Sequence, residues 1–170
     1  MNLFIRKATK EDWKEIKYIY DAGISTGLAT FETTSPSTYE QWSLKAHPEC
    51  TLIVQEGSTV VGWCKVTSIS DRLVYAGVGE VSIYVHPDTQ GKGVGDFLLK
   101  NLIHKSDEQG FWTLQASIFP ENINSIYLHK KNNFRKVGIR EKIGQLTGVW
   151  KDNVLLERRN SIGLDKCSFK

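Results

Sequence analysis

A glycine-rich segment in the middle of the chain has the residues and spacing of a ligand-binding loop. It reads Gln90-Gly91-Lys92-Gly93-Val94-Gly95-Asp96, and it follows a β-branched stretch that ends at Val85 and His86. A loop that leads into a helix exposes consecutive backbone N–H groups at the positive end of the helix dipole, which suits a diphosphate. The segment therefore predicts a site for a ligand that carries phosphates.

Two common nucleotide-binding loops do not fit this spacing. A dinucleotide fingerprint needs glycines spaced G-x-G-x-x-G, but here they stand at positions 91, 93 and 95. A Walker A loop needs Ser or Thr after Gly-Lys, whereas Gly93 follows Lys92. For the loop alone, a plain strand-to-helix turn without a ligand remains an alternative.

The flanking patterns predict the elements that position this loop. Residues 78–86 alternate with period two, as a strand does, and apolar residues from 94 to 110 recur at helical spacing. The whole order is strand, helix, helix, three strands, helix, strand, helix and two strands, which predicts an α/β (α+β) fold with a mixed sheet and helices on both faces. The predicted bounds are 3–7, 9–27, 38–46, 51–55, 60–68, 78–86, 94–110, 113–119, 122–132, 134–143 and 150–158.

The loop and its surroundings resemble those of the GNAT acyltransferase superfamily. Gln90 to Gly95 matches its Q/R-x-x-G-x-G acetyl-CoA loop, and residues 122–134 resemble its N-x-x-A-x-x-L-Y-x-x-x-G-F helix. His129 stands where Tyr is frequent, and Asn133 stands where Gly usually precedes Phe; Asn tolerates the left-handed conformation that ends such a helix. Segments 29–33, 80–87, 114–116, 118–122 and 148–152 are most similar to the phosphinothricin (methionine sulfoximine) N-acetyltransferase group, over roughly residues 5–159.

The resemblance implies a mostly antiparallel GNAT fold and transfer of an acetyl group from acetyl-CoA to an amine. An amine with a pKa of about 8 to 10 is mostly protonated at neutral pH, so a base is needed. The resemblance assigns that role to Glu80, directly or through water. It makes His129 a general acid for the thiolate or a second base. An exposed strand carboxylate and a surface histidine are the alternatives for these two residues.

The same resemblance implies which residues hold the donor. The thioester carbonyl would accept hydrogen bonds from backbone amides near Tyr84 and Val85, provided that this strand separates from its neighbour. Asn122 would contact the cofactor arm. The residues expected to bind acetyl-CoA are Ile83, Tyr84, Val85, Gln90, Gly91, Lys92, Gly93, Val94, Gly95, Asp96, Asn122 and Ser125.

For the acceptor, the resemblance points to Phe31, Arg72, Tyr75 and Trp150. Arg72 would pair with a carboxylate or phosphinate, which suits a small amino-acid-like amine. The alternative for Arg72 is a solvated turn residue. The alternative for Phe31 and Trp150 is a position in the core. The alternative functions are a GNAT enzyme for a polyamine, an aminoglycoside or a protein N-terminus, and a non-catalytic CoA-binding sensor.

Composition limits the other classes of function. The chain has 170 residues, a formal charge of +3 and three cysteines without CxxC spacing, which indicates one domain over 1–159 and a flexible tail over 160–170. Without a long basic block, nucleic acid is not an expected partner. Without a signal-peptide run or the roughly 18 apolar residues of a membrane span, a cytoplasmic protein is expected. The histidines lack metal-ligand spacing, so no metal is expected. The resemblance and the apolar last strand imply a homodimer.

Overall fold

The computed structural model describes residues 2–160, and its elements follow the predicted order. Short 3-10 turns connect several of them. The strands and α-helices of this part of the chain are β1 Leu3–Lys7, α1 Trp13–Ser25, α2 Tyr39–Ser43, β2 Ala46–Glu56, β3 Thr59–Ser68, β4 Val78–Val85, α3 Val94–Glu108, β5 Thr113–Ile118, α4 Ile123–Lys131, β6 Arg135–Leu146 and β7 Val149–Arg159.

The seven strands described form one sheet in the order β1-β2-β3-β4-β5-β7-β6. Only the β4–β5 pair among them is parallel, and the other neighbours are antiparallel. Because successive strand residues face opposite sides, Cys64 and Val66 of β3 pack with α3, whereas Trp63 packs with α1. The predicted fold class, a mixed and mostly antiparallel sheet with helices on both faces, is confirmed.

The parallel pair forms a fork in the middle of the sheet. Its ladder runs from Val78 opposite Thr113 to Glu80 opposite Gln115 and then ends. Beyond that point β4 continues to Val85 and β5 continues to Ile118 without pairing to each other. The sheet therefore has a gap between two central strands.

Several boundaries differ from the sequence prediction, most of them by one or two residues, and the larger differences have a structural reason. The second helix ends at Ser43, and Ala46 already belongs to β2, where it lies opposite Thr67 ahead of a register shift. The first helix, Trp13–Ser25, is shorter than the predicted 9–27, because Lys10–Asp12 form a 3-10 turn ahead of it. Gly23 lies inside this helix, where the ring of Tyr84 packs; a Cβ at Gly23 would lie 2.5 Å from that ring. β6 runs through Gly144, where the Phe31 ring occupies the space of a side chain.

At the C-terminal end, Asn160 belongs to the folded domain. It is buried, and its backbone N–H donates to the Trp112 carbonyl at 3.0 Å. The rest of the expected tail, 161–170, lies outside the described residues. No helix within 2–160 is long and apolar enough to cross a membrane.

Candidate functional site

Two cavities meet in the fork between β4 and β5. The first, of about 550 Å³, lies beside the glycine-rich loop and α4. The second, of about 360 Å³, extends deeper, past Glu80 and His129. The two share five lining residues, Ala29, Ile83, Tyr84, Asn122 and Ser125. We call them the loop cavity and the inner cavity; they adjoin each other at the gap in the sheet.

The glycine-rich loop has the backbone that the sequence predicts. Gly91 and Gly93 adopt φ values of +73° and +86°, which glycine tolerates and other residues rarely adopt. Gly93 is also the N-cap of α3, whose first-turn amides have no acceptor within the helix. Gln90, Gly91, Gly93, Gly95 and Asp96 line the loop cavity. Two predicted residues do not: Lys92 is exposed, and the Val94 side chain is buried in the core.

Asp96 lies at the start of α3 with three hydrogen-bond donors around it. Its carboxylate accepts from Lys100 Nζ at 2.8 Å, from Asn132 Nδ2 at 2.9 Å and from Lys131 Nζ at 3.1 Å. The hydrogen bond from Lys100, followed by those from Asn132 and Lys131, lowers the pKa of Asp96 to about 2, against the opposing effect of burial. The lysines offset a negative charge that would otherwise repel an anion in the loop cavity.

Asn122 connects α4 to the loop after α1. Its Oδ1 accepts from the Ser125 backbone N–H at 3.2 Å, which caps the helix, and its Nδ2 donates to the Leu28 carbonyl at 3.2 Å. Both ends of the amide are thus engaged within the protein. Asn122 holds the wall shared by the two cavities, in addition to any contact with a ligand.

His129 is a buried, neutral imidazole in the wall of the inner cavity. Its Nδ1 lies 2.8 Å from the Ser125 carbonyl oxygen. Because a carbonyl oxygen only accepts, Nδ1 carries the hydrogen and Nε2 keeps a free lone pair. Burial lowers the pKa of His129, and the bond to Ser125 offsets this only partly. The lone pair on Nε2 makes this form a proton acceptor.

Glu80 is the last β4 residue that pairs with β5, so its half-buried side chain lies where the gap opens. Beyond it, the β4 amides alternate between the two sides. The His86 N–H donates to the Val61 carbonyl of β3 at 2.9 Å. By alternation, the Val85 and Ile83 amides point into the gap, whereas the Tyr84 amide points towards β3. Of the two amides expected to bind a carbonyl, Val85 therefore has the suitable direction.

Asn153, which is not among the residues predicted from the sequence, also lines the inner cavity. The residue is 8% exposed, and its Oδ1 has no hydrogen-bond partner among residues 2–160. An unpaired buried polar atom costs roughly 1–3 kcal/mol of stability. The only signal in the sequence is a polar residue beside the apolar run Val154, Leu155 and Leu156.

The residues predicted to bind the acceptor separate into two groups. Phe31 lines the inner cavity, with its ring at 4.7 Å from the ring of Phe119 in edge-to-face contact. Arg72, Tyr75 and Trp150 are exposed and line neither cavity; the Arg72 guanidinium lies 5.5 Å from the Tyr75 ring. Their part in acceptor binding stays a prediction.

Neither a metal cluster nor a reactive thiol is present in the described part of the chain. Residues 2–160 contain no group of three or more His, Cys, Asp and Glu residues placed to hold a metal ion. Cys50 and Cys64 are free and buried, and burial raises the pKa of Cys50 to about 11. Such a thiol is a poor nucleophile. Cys167 lies outside the described residues.

Comparisons with known proteins agree with this architecture. The L-methionine sulfoximine/L-methionine sulfone acetyltransferase of Salmonella typhimurium is 30% identical over 162 residues, covering 90% of this chain and 92% of that protein. The crystal structure of a GNAT superfamily phosphinothricin acetyltransferase from Sinorhizobium meliloti, in complex with AcCoA, matches with a TM-score of 0.86 at 28% identity, covering 97% of this chain and 92% of that one.

A ribosomal-protein-alanine N-acetyltransferase from Brucella melitensis matches with a TM-score of 0.85 at 27% identity, covering 92% of this chain and 99% of that one. A family model, that of the acetyltransferase (GNAT) family, matches residues 10–134. This stretch includes the glycine-rich loop, the fork and α4. The chain therefore belongs to the acetyltransferase (GNAT) family.

Proposed function

We propose that this protein transfers the acetyl group of acetyl-CoA to the primary amine of a small amino-acid-like acceptor, of the phosphinothricin or methionine sulfoximine type. The observation that carries the proposal is the pair of joined cavities in the fork. The loop cavity offers backbone amides for a diphosphate, and the inner cavity contains Glu80 and His129. The acetyl-CoA complex of the structural relative from Sinorhizobium meliloti supports the choice of donor.

In this mechanism the amine attacks the thioester directly. Glu80 removes a proton from the ammonium form of the acceptor, which frees the lone pair of the nitrogen. The new C–N bond forms, the C–S bond breaks, and the electron pair leaves on sulfur. The Val85 amide, which points into the gap, donates to the carbonyl oxygen as its negative charge grows.

His129 acts as the second base. Its Nδ1 hydrogen is held by the Ser125 carbonyl, so Nε2 accepts the proton that the nitrogen releases as the C–N bond forms. In its neutral form this nitrogen has no hydrogen to give to the thiolate. Of the two roles that the resemblance leaves open, the tautomer favours the base.

The size of the inner cavity supports a small acceptor. About 360 Å³ is close to the lower end of the range for small-molecule sites. Among relatives, the enzyme from Salmonella typhimurium is named for methionine sulfoximine and methionine sulfone. Arg72, for which we propose contact with the acceptor carboxylate, lies outside the inner cavity.

The test measures release of free thiol from acetyl-CoA over a panel of amines. The panel contains phosphinothricin, methionine sulfoximine, methionine sulfone, spermidine, kanamycin and a peptide with N-terminal alanine. We expect turnover with the first three. Replacing Glu80 with Gln keeps the size of the side chain and removes the base, so kcat should fall by about 10²–10⁴-fold at neutral pH. Near-wild-type turnover by Glu80→Gln contradicts its role.

The same panel separates the alternatives. The likeness to a ribosomal-protein-alanine N-acetyltransferase makes a protein N-terminus the second candidate. Turnover of the alanine peptide alone would support it. Turnover of spermidine or kanamycin alone would replace the amino-acid-like acceptor with a cationic one. Binding of acetyl-CoA without turnover of any amine indicates the non-catalytic sensor.

We also propose that two copies associate through the β6–β7 hairpin. β6 is an edge strand, and edge strands with exposed apolar side chains promote pairing with another chain. The exposed apolar residues of this hairpin, each between 46% and 58% exposed, are Val137, Ile139, Ile143, Val149 and Trp150.

A further inference from the structure

Two residues that line the inner cavity each have a buried hydrogen-bond acceptor without a partner among residues 2–160. The atoms are Nε2 of His129 and Oδ1 of Asn153, in residues that are 2% and 8% exposed. Buried polar atoms are nearly always paired, because an unpaired one gives up its bonds to water without replacement. Two of them in one cavity indicate a ligand that brings the missing donors.

Both atoms accept and neither donates. Nδ1 of His129 carries the ring hydrogen that bonds to the Ser125 carbonyl, and an amide oxygen has no hydrogen. The two cannot satisfy each other, and neither can bind a carboxylate or a phosphinate. A group that binds these two atoms must therefore carry N–H or O–H bonds, and the acceptor's anionic group would need other partners.

The two residues line the cavity from different elements. His129 lies in the last turns of α4. Asn153 is the first β7 residue beyond the end of the β5–β7 ladder, whose last pair is Ile118 opposite Val154. Glu80 reaches the same cavity from β4. Three acceptor groups from three elements thus line the space where the amine must lose its proton.

Resting on the acetyl transfer above, we propose that Asn153 Oδ1 and His129 Nε2 bind the two N–H bonds of the neutral primary amine and so select primary over secondary amines. Holding both N–H bonds leaves the nitrogen lone pair directed at the thioester carbon. His129 then takes one of the two protons as the C–N bond forms. The other proton stays on the nitrogen of the amide product, and its N–H bond donates to Asn153 Oδ1.

A secondary amine lacks one of these bonds. Its single N–H satisfies one acceptor, and the other stays buried and unpaired. A site built to bind an N–H group rejects an analogue without it more strongly than an apolar pocket rejects a change in size. We therefore expect a preference of at least about 100-fold in kcat/KM for a primary amine over its N-methyl derivative.

The experiment compares methionine sulfone with N-methyl methionine sulfone, or the equivalent pair for whichever amine the panel identifies. The variant Asn153→Leu keeps the size of the side chain and removes the acceptor. We expect kcat/KM to fall about tenfold or more for the primary amine and to stay nearly constant for the N-methyl compound. The KM for acetyl-CoA should not change. Asn153→Asp keeps an oxygen acceptor and should retain the wild-type preference.

A control separates this effect from a change in folding. His47 Nδ1 is also buried and unpaired within 2–160, but it lies in a different cavity. His47→Phe should leave the ratio of primary to secondary turnover unchanged. Asn153→Leu should be at least as stable to heat as the wild type, because it removes an unpaired polar atom.

If a folded, active Asn153→Leu protein keeps the wild-type ratio of kcat/KM for the primary amine to that for the N-methyl compound, amine binding by Asn153 is overturned and the proposed acetyl transfer is not affected. Equal kcat/KM for the two amines in the wild type has the same consequence. Absence of thiol release from every amine overturns the proposed function, and this inference with it.

Discussion

At the scale of single residues, His129 links the chemistry of the site to the stability of the fold. Its imidazole is buried in neutral form, with Nδ1 donating to a carbonyl and Nε2 free. Burial is the main reason that its pKa is lowered from 6.5. A neutral base at physiological pH is what acetyl transfer to an amine needs, and the same burial makes protonation costly.

The pH dependence of stability follows with a definite sign. Between the unfolded pKa of 6.5 and the lower folded pKa, the unfolded chain binds a proton that the folded chain does not. The free energy of unfolding should therefore fall as the pH drops below about 6.5, by up to about 1.4 kcal/mol per pH unit. Urea denaturation at pH 7.5, 6.5 and 5.5 measures this slope.

The variant His129→Phe should lose this part of the slope, because it has no group to protonate. The control His104→Gln changes a histidine whose side chain is 77% exposed, and it should keep the wild-type slope. If His129→Phe loses stability with acid as steeply as the wild type does, the buried neutral histidine is not the cause.

At the scale of elements, the loop between β4 and α3 depends on backbone conformation more than on side chains. Gly93 has φ +86° at the N-cap of α3, and no atom lies within 4 Å of the position of its missing Cβ. An alanine there meets no clash but must adopt a left-handed conformation, at about 1–2 kcal/mol. Relief of that strain would change the direction of the loop amides that line the cavity.

We therefore expect Gly93→Ala to raise the KM for acetyl-CoA about tenfold or more, with a smaller effect on the KM for the amine. Gly57 provides a matched control, since it has φ +60° in the β2–β3 turn and also has nothing near its missing Cβ. Gly57→Ala should cost similar stability and leave both KM values unchanged. Steady-state kinetics measures the KM values of the two variants, and calorimetry measures their stability. If Gly93→Ala and Gly57→Ala have the same KM for acetyl-CoA, this loop has no role in donor binding.

At the scale of the whole molecule, the β6–β7 hairpin is the exposed apolar end of the sheet. Ile139 is 49% exposed and lies in the middle of the edge strand β6. If two copies pair there, a charge at this position should separate them. Light scattering after gel filtration should give about twice 19.3 kDa for the wild type and a single chain for Ile139→Lys.

Phe4→Lys is the control for that measurement. Phe4 is 63% exposed on β1, at the opposite edge of the sheet, so its replacement should leave the dimer intact. A monomeric wild type, or dissociation by both variants alike, would contradict pairing through β6–β7.

The sequence by itself determined the features that depend on neighbouring residues. The order of elements, the glycine-rich loop and the left-handed residue Asn133, at φ +65°, are local, because each follows from the spacing and conformational freedom of adjacent residues. It also identified the family, since the loop and α4 carry contiguous motifs. The predicted helix end at 46 was wrong, because pairing of Ala46 with Thr67 in the sheet outweighs the local signal.

Only the tertiary structure decided how distant residues meet. Asn153 becomes a candidate because β7 ends its pairing with β5 beside the inner cavity, and this follows from the register between strands that are far apart in the sequence. The tautomer of His129 follows from one carbonyl contact, and Arg72 lies outside the cavities although its type suits the acceptor. Burial, hydrogen-bond direction and the gap between β4 and β5 depend on how segments distant in the sequence pack together. They therefore could not be predicted from the sequence alone.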